Sequence, residues 1–177
     1  ELDNGMTVGI SFVLDQGDET TTSATSPFDS HSVSISSDAL GKLTMHGEGG
    51  SSAQGAIDTT AAGDIWDTFD GATTGTTVSS SSGGADVLVY ALPSIMDDLA
   101  ISASYSPQQG NASSATAYAA TYSGVEGLSV SYGVGDVFDS AAGVSADSTT
   151  MKASYAIGSF TLAYSNNDYA TSAANLD

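Results

Sequence analysis

The residues of this chain best suited to chemistry are three aspartates in the stretch GDIWDTFDG: Asp64, Asp67 and Asp70, spaced three apart. On a helical turn that spacing sets all three carboxylates roughly along one face and leaves Ile65, Trp66 and Phe69 free to pack. Three uses compete. Carboxylates are hard oxygen ligands, so the triplet is a candidate calcium site, although its spacing departs from the D-x-D-x-D-G pattern of calcium loops. A row of negative charge beside a narrow aqueous passage would instead favour cations over anions, and Asp58 is a further candidate for such a rim. The third use is none: a solvated loop face.

Other chemistry finds little support. The chain has 177 residues, 21 acids, two basic residues and a formal net charge of −19. Such acidity argues against nucleic acid, whose phosphates call for lysine and arginine. Cysteine is absent, which removes disulfides and thiolate metal sites. The many serines show no G-x-S-x-G elbow and no Ser-His-Asp order, so no enzyme is expected. The string SSSSGG lacks the GxxxxGK[ST] context of a phosphate cradle. Asp97 and Asp98 sit in a tight turn and read as solvated. His46 reads as a polar wall residue, and His31 begins a different strand, so the two make no credible metal pair.

The elements that would position these residues all read as strands. In GLSVSYGVGD, Leu128, Val130, Tyr132 and Val134 alternate with Ser129, Ser131, Gly133 and Gly135. Strict alternation means β-structure, with successive side chains on opposite faces. The pattern recurs in GMTVGISFVLD, HSVSIS, GKLTMHGE, LAISASYSP, ATAYAATYSG, STTMKASYAIG and SFTLAYSNNDY, while ADVLVYALPS is apolar on both faces. That gives about nine strands of roughly 8–10 residues, the length a tilted strand needs to cross a bilayer. No segment carries a helical period over a helix-sized window.

Tight connections (Asp38–Gly41, Ser94–Asp98, Gly124–Gly127, Gly158–Ser159) alternate with long ones (Gln16–Asp29, Gly49–Gly84, Gln108–Ser114, Phe138–Asp147). An antiparallel up-and-down meander with short turns at one end and long loops at the other is the layout of a transmembrane β-barrel. The acids agree, because they fall in loops, turns and strand ends and leave the strand middles clear. A charge on the lipid face near the midplane costs roughly 2–4 kcal/mol. Tyr105, Tyr122, Tyr132, Tyr155 and Tyr164 share the apolar faces of their strands, as an aromatic girdle requires. The Leu/Val/Tyr face therefore meets lipid or a neighbouring subunit, and the Ser/Gly face lines a water-filled lumen. Lys42, His46 and Glu48 share the lumen parity of one strand, and Lys152 has lumen parity on a later one.

The series ELDNGMTVGISFVLD, SISSDALGKLTMHGE, YALPSIMDDLAISASYS and GVEGLSVSYGVGD resembles the consecutive hairpins of a Gram-negative general porin. The resemblance covers the whole chain, residues 1–177, as part of one barrel domain. It implies a ring of about 16 strands, of which these would be the third through the eleventh, so the chain reads as an internal stretch. It also implies that the connection 49–84, roughly 36 residues, folds inward and narrows the bore. Asp58, Asp64, Asp67 and Asp70 would then rim the constriction opposite wall bases, a transverse field that orients passing solutes. The function so implied is passive diffusion of small hydrophilic solutes through a homotrimer in the bacterial outer membrane, in contact with lipid and lipopolysaccharide. The scarcity of bases makes the pore cation-preferring, and no cofactor is expected unless calcium binds the triplet. The alternative is an acidic secreted adhesin or surface-layer β-protein.

Overall fold

Small polar residues alternating with aliphatic or aromatic ones leave each strand with one greasy and one hydroxylated edge, and pairing such strands in register sorts these into two faces. The computed structural model describes residues 5–14, 28–57, 86–107, 114–139 and 144–173. They form β1 (Thr7–Leu14), β2 (Phe28–Ser37), β3 (Gly41–Glu48), β4 (Val87–Ala91), β5 (Leu99–Ser106), β6 (Ser114–Val125), β7 (Leu128–Asp139), β8 (Val144–Ile157) and β9 (Phe160–Ala173). All nine belong to one sheet in the order β1 to β9, each antiparallel to the next.

Register makes the faces continuous across the sheet. Ser104, Ala117, Gly135 and Ser148 lie opposite one another on β5, β6, β7 and β8, and Ala103, Tyr118, Val134 and Thr149 form the neighbouring row on the other face. The doubly apolar strand β4 resolves the same way. Leu88 and Tyr90 join the greasy face opposite Met45 and Leu43, and Val87 and Val89 join the polar face opposite His46 and Thr44.

Among the described residues no second sheet covers the greasy face. Ile10 is 74% exposed, Phe160 81% and Leu162 74%, with Phe12, Met45, Tyr118, Tyr132 and Tyr164 also open. An apolar face of this extent is untenable in water and is what a hydrocarbon environment selects. Most of the buried strand residues are small ones on the opposite face, among them Ala115, Ala117, Ala119, Ser131, Ser148 and Thr150.

Strands β8 and β9 are longer than the alternation alone suggests, at 14 residues each. The connection expected over Phe138–Asp147 shrinks accordingly, because β7 runs on to Asp139 and β8 begins at Val144. Asp136 and Asp147 are therefore strand residues opposite one another, and Asp168 lies opposite Thr149 on the same face. Along β7 that face reads Leu128, Val130, Tyr132, Val134, then Asp136. The acids mark where the apolar band stops, at the end of the strands that carries the longer loops. At the other end the turns are tight. Gly127, at φ +77°, lets the Glu126–Gly127 turn close against β8, where a Cβ would sit 2.6 Å from the Ala156 carbonyl oxygen.

Candidate functional site

The site is the polar face and the chain that lies on it. On β2 and β3, Ser32, Ser34 and Ser36 stand opposite His46, Thr44 and Lys42. Strand β1 adds Gly9 opposite Ser34 and Ser11 opposite Ser32. Lys42 is exposed here, and His46 is half-buried against Val87 in the register. On β8, Lys152 lies between Ser131 of β7 and Ser165 of β9, in the same hydroxylated row as Thr121. Thr121 and Ser131 share a hydrogen bond of 2.9 Å between their hydroxyls. The wall bases are thus brought onto one face but not together. Five strand spacings separate β3 from β8, roughly 24 Å along the sheet.

Glu48 departs from its expected row. The β2–β3 register shifts between His31 and Ser32, so Gly47 is an extra residue and Glu48 stands opposite His31 rather than continuing the line of Lys42 and His46. His31 in turn stands opposite Phe12 of the greasy face. A Cβ at Gly47 would collide with the His31 ring, which is why glycine occupies the bulge. A glycine inside an otherwise alternating strand was the available signal.

Of the connection 49–84, residues 49–57 are described; Asp58, Asp64, Asp67 and Asp70 lie outside the described residues. The described part turns onto the polar face. Ser52 caps a single turn, accepting the Gly55 N–H on its hydroxyl at 2.9 Å while its carbonyl accepts the Ala56 N–H at 3.0 Å. Ile57 N–H closes on the Gln54 carbonyl at 2.9 Å. This root is nearly dry: Ser52, Ala53 and Gln54 are 2%, 1% and 0% exposed.

What holds it is spread over four strands. Ala53 N–H donates to Ser104 Oγ of β5 at 2.8 Å. Ala53 packs with Ala117 and Ala119 of β6, and Ile57 closes the cluster. Gly133 of β7 forms the floor, since a Cβ there would sit 2.8 Å from Ile57 Cδ1 and 3.3 Å from Gln54 Cγ. On β8, Ser148 Oγ donates to Gln54 Oε1 at 2.6 Å, and Gln54 Nε2 donates to Thr150 Oγ1 at 3.2 Å. The small residues read from sequence as lining open water are here, on β5 to β8, a seat for chain. Alternation alone marks a residue as small and inward, and does not say what fills the space in front of it. The run Ala115, Ala117, Ala119, with no hydroxyl to wet it, was the one hint.

Among the described residues no group of three or more His, Asp or Glu side chains could hold a metal ion.

An antiparallel meander that is the one sheet among the described residues, greasy on one face and small and polar on the other, with residues 52–57 seated on the polar face, is the wall of a transmembrane β-barrel. A family model described as Gram-negative porin matches residues 1–177, and the chain belongs to that family. It is an outer-membrane porin. No curated protein matches the chain.

Proposed function

We propose that this porin passes small hydrophilic solutes by passive diffusion and prefers cations. The observation that supports the reading is the seating of residues 52–57, the described start of the connection 49–84, on the polar face of the sheet. Asp58 follows Ile57 directly, and Asp64, Asp67 and Asp70 follow within the same connection. Their charge sits in a chain with two basic residues, Lys42 and Lys152, both in the register of the inner face. A rim of four carboxylates outweighs these bases, raises the local cation concentration and repels anions. Calcium held by Asp64, Asp67 and Asp70 would cancel two of their three charges and weaken that bias, so a chelator distinguishes the two uses of the triplet.

The outer face supports a proposal for the assembly. All eight tyrosines lie between Tyr90 and Tyr169. Strands β1 to β3 present Val8, Ile10, Phe12, Val33, Ile35, Leu43 and Met45 instead. Tyrosine anchors a surface at the headgroup level, and a face without it suits a packed neighbour. We assign β1 to β3 to the subunit contact of a homotrimer and β4 to β9 to lipid and lipopolysaccharide.

The test is the reversal potential of the full protein in a planar bilayer under a salt gradient. The wild type should show cation preference. Replacing Asp58, Asp64, Asp67 and Asp70 together by Asn should move the potential toward zero, and an unchanged potential would refute the rim.

A further inference from the structure

Gln54 is the only long polar side chain among the fully buried residues of the described structure, where it stands with Val87 and Thr150 at under 2% exposure. Burying a primary amide is unfavourable unless both ends are bonded, and here both are. Its oxygen accepts from Ser148 and its nitrogen donates to Thr150, two hydroxyls that share one face of β8 two residues apart. Ser148 also reaches the Gly135 carbonyl at 3.2 Å, tying the acceptor side to β7. An apolar side chain of the same volume could fill this space, but it could not fix direction. The amide has one acceptor end and one donor end, so the turn 52–57 has one orientation along β8 that satisfies it.

From this we infer that Gln54 is the latch of the constriction loop: a positioning residue that locks the loop root to β8 and thereby sets the bore, touching no solute itself. The inference rests on reading 49–84 as the segment that narrows the channel. Ser104 holds the root by a backbone N–H that any residue but proline at 53 would present, and Ala117, Ala119 and Gly133 offer only shape. The sequence-specific lock is the Gln54–Ser148–Thr150 triad. Asp58 is four residues beyond it, so a shift of the root moves the first carboxylate of the rim.

Two measurements on the full protein test this. The chain contains no cysteine, so Ser52→Cys, close to isosteric at a site 2% exposed, introduces one thiol under the latch. A water-soluble maleimide should label it slowly in the refolded protein. Adding Gln54→Leu, which keeps the volume and loses both amide bonds, should raise the labelling rate by about tenfold or more. In bilayer recordings Gln54→Leu should raise open-channel noise and conductance, and Ser148→Ala with Thr150→Val should do the same. Gln54→Glu supplies a control within one folded protein. Its neutral carboxyl can replace both amide bonds, whereas ionising it in a dry seat is unfavourable, so noise and labelling should rise as pH is raised. Labelling that stays slow in Gln54→Leu, or a Gln54→Glu protein no more pH-sensitive than wild type, overturns the latch. Fast labelling in a protein that forms no channel would uphold the latch and overturn the channel reading.

Discussion

The inner faces of β1 to β3 and of β5 to β8 are built from the same alternation and end in different states. On β1 to β3 the inward residues are Ser11, Ser32, Ser34, Ser36, Thr44, His46 and Lys42, half-buried or exposed. On β6 to β8 the inward residues beneath the turn 52–57 are Ala115, Ala117, Ala119, Gly133, Gly135, Ser148 and Thr150, all buried, while Thr121, Ser129, Lys152 and Ser154 nearer the tight turns are half-buried. The difference is side-chain size and hydroxyl density. A dense hydroxyl row holds water and remains a wall. Ala and Gly leave a groove deep enough for chain, and the few hydroxyls in it are aimed at an amide. An inward-facing strand is therefore not by itself a pore lining.

The comparison can be broken most forcefully by reversing a face. Val130→Arg places a charge between Tyr122 and Ala153 on the lipid-facing greasy side and should destabilise the barrel by roughly 2–4 kcal/mol. Thr44→Arg, on the wet wall of β3, should fold normally. Heat-modifiable mobility on a gel after refolding into vesicles separates the two, and equal yields would undo the face assignment. Next in size, Gly133→Leu should evict Ile57 and Gln54 from their seat at about 1–3 kcal/mol, read by denaturant unfolding. Gly9→Ala on the wet wall meets only the mobile Ser34 hydroxyl at 2.9 Å and should cost much less. If the two substitutions were equally harmful, the distinction between seat and wall would fail.

Much of this division was legible in the sequence. Period-two alternation gave the strands, their faces and the single meander, because a residue's face in a strand depends only on counting. Counting fails where a residue is inserted. Gly47 shifts the register by one, so Glu48 joins His31 and leaves the row of Lys42 and His46. It fails also where strands outrun their apolar band, as β7 and β8 do through Asp136 and Asp147. Gln54 was invisible for a different reason. A single glutamine in a long connection carries no pattern, and its partners lie 94 and 96 residues away on a strand that only the folded sheet brings opposite it.

Smaller effects sharpen the picture. Ser104→Ala removes the acceptor for the buried Ala53 N–H and should lower stability by about 1–3 kcal/mol, with no change when the same substitution is made at Ser34. At the tight turns, which both regions share, Asp98 sits at φ +61° while its carbonyl accepts the Ser123 N–H at 2.9 Å. Asp98→Gly should relieve that strain and stabilise by up to about 1 kcal/mol in thermal unfolding.

The account rests on which face meets lipid, and one scan measures that directly. Single cysteines at residues 161 to 165 of β9 in the full protein in vesicles, each carrying an environment-sensitive fluorophore, are quenched with brominated phospholipid and with a water-soluble quencher. Lipid should quench at Leu162 and Tyr164, and the aqueous reagent at Thr161, Ala163 and Ser165. Quenching with no period of two, or with the two sets exchanged, would contradict it.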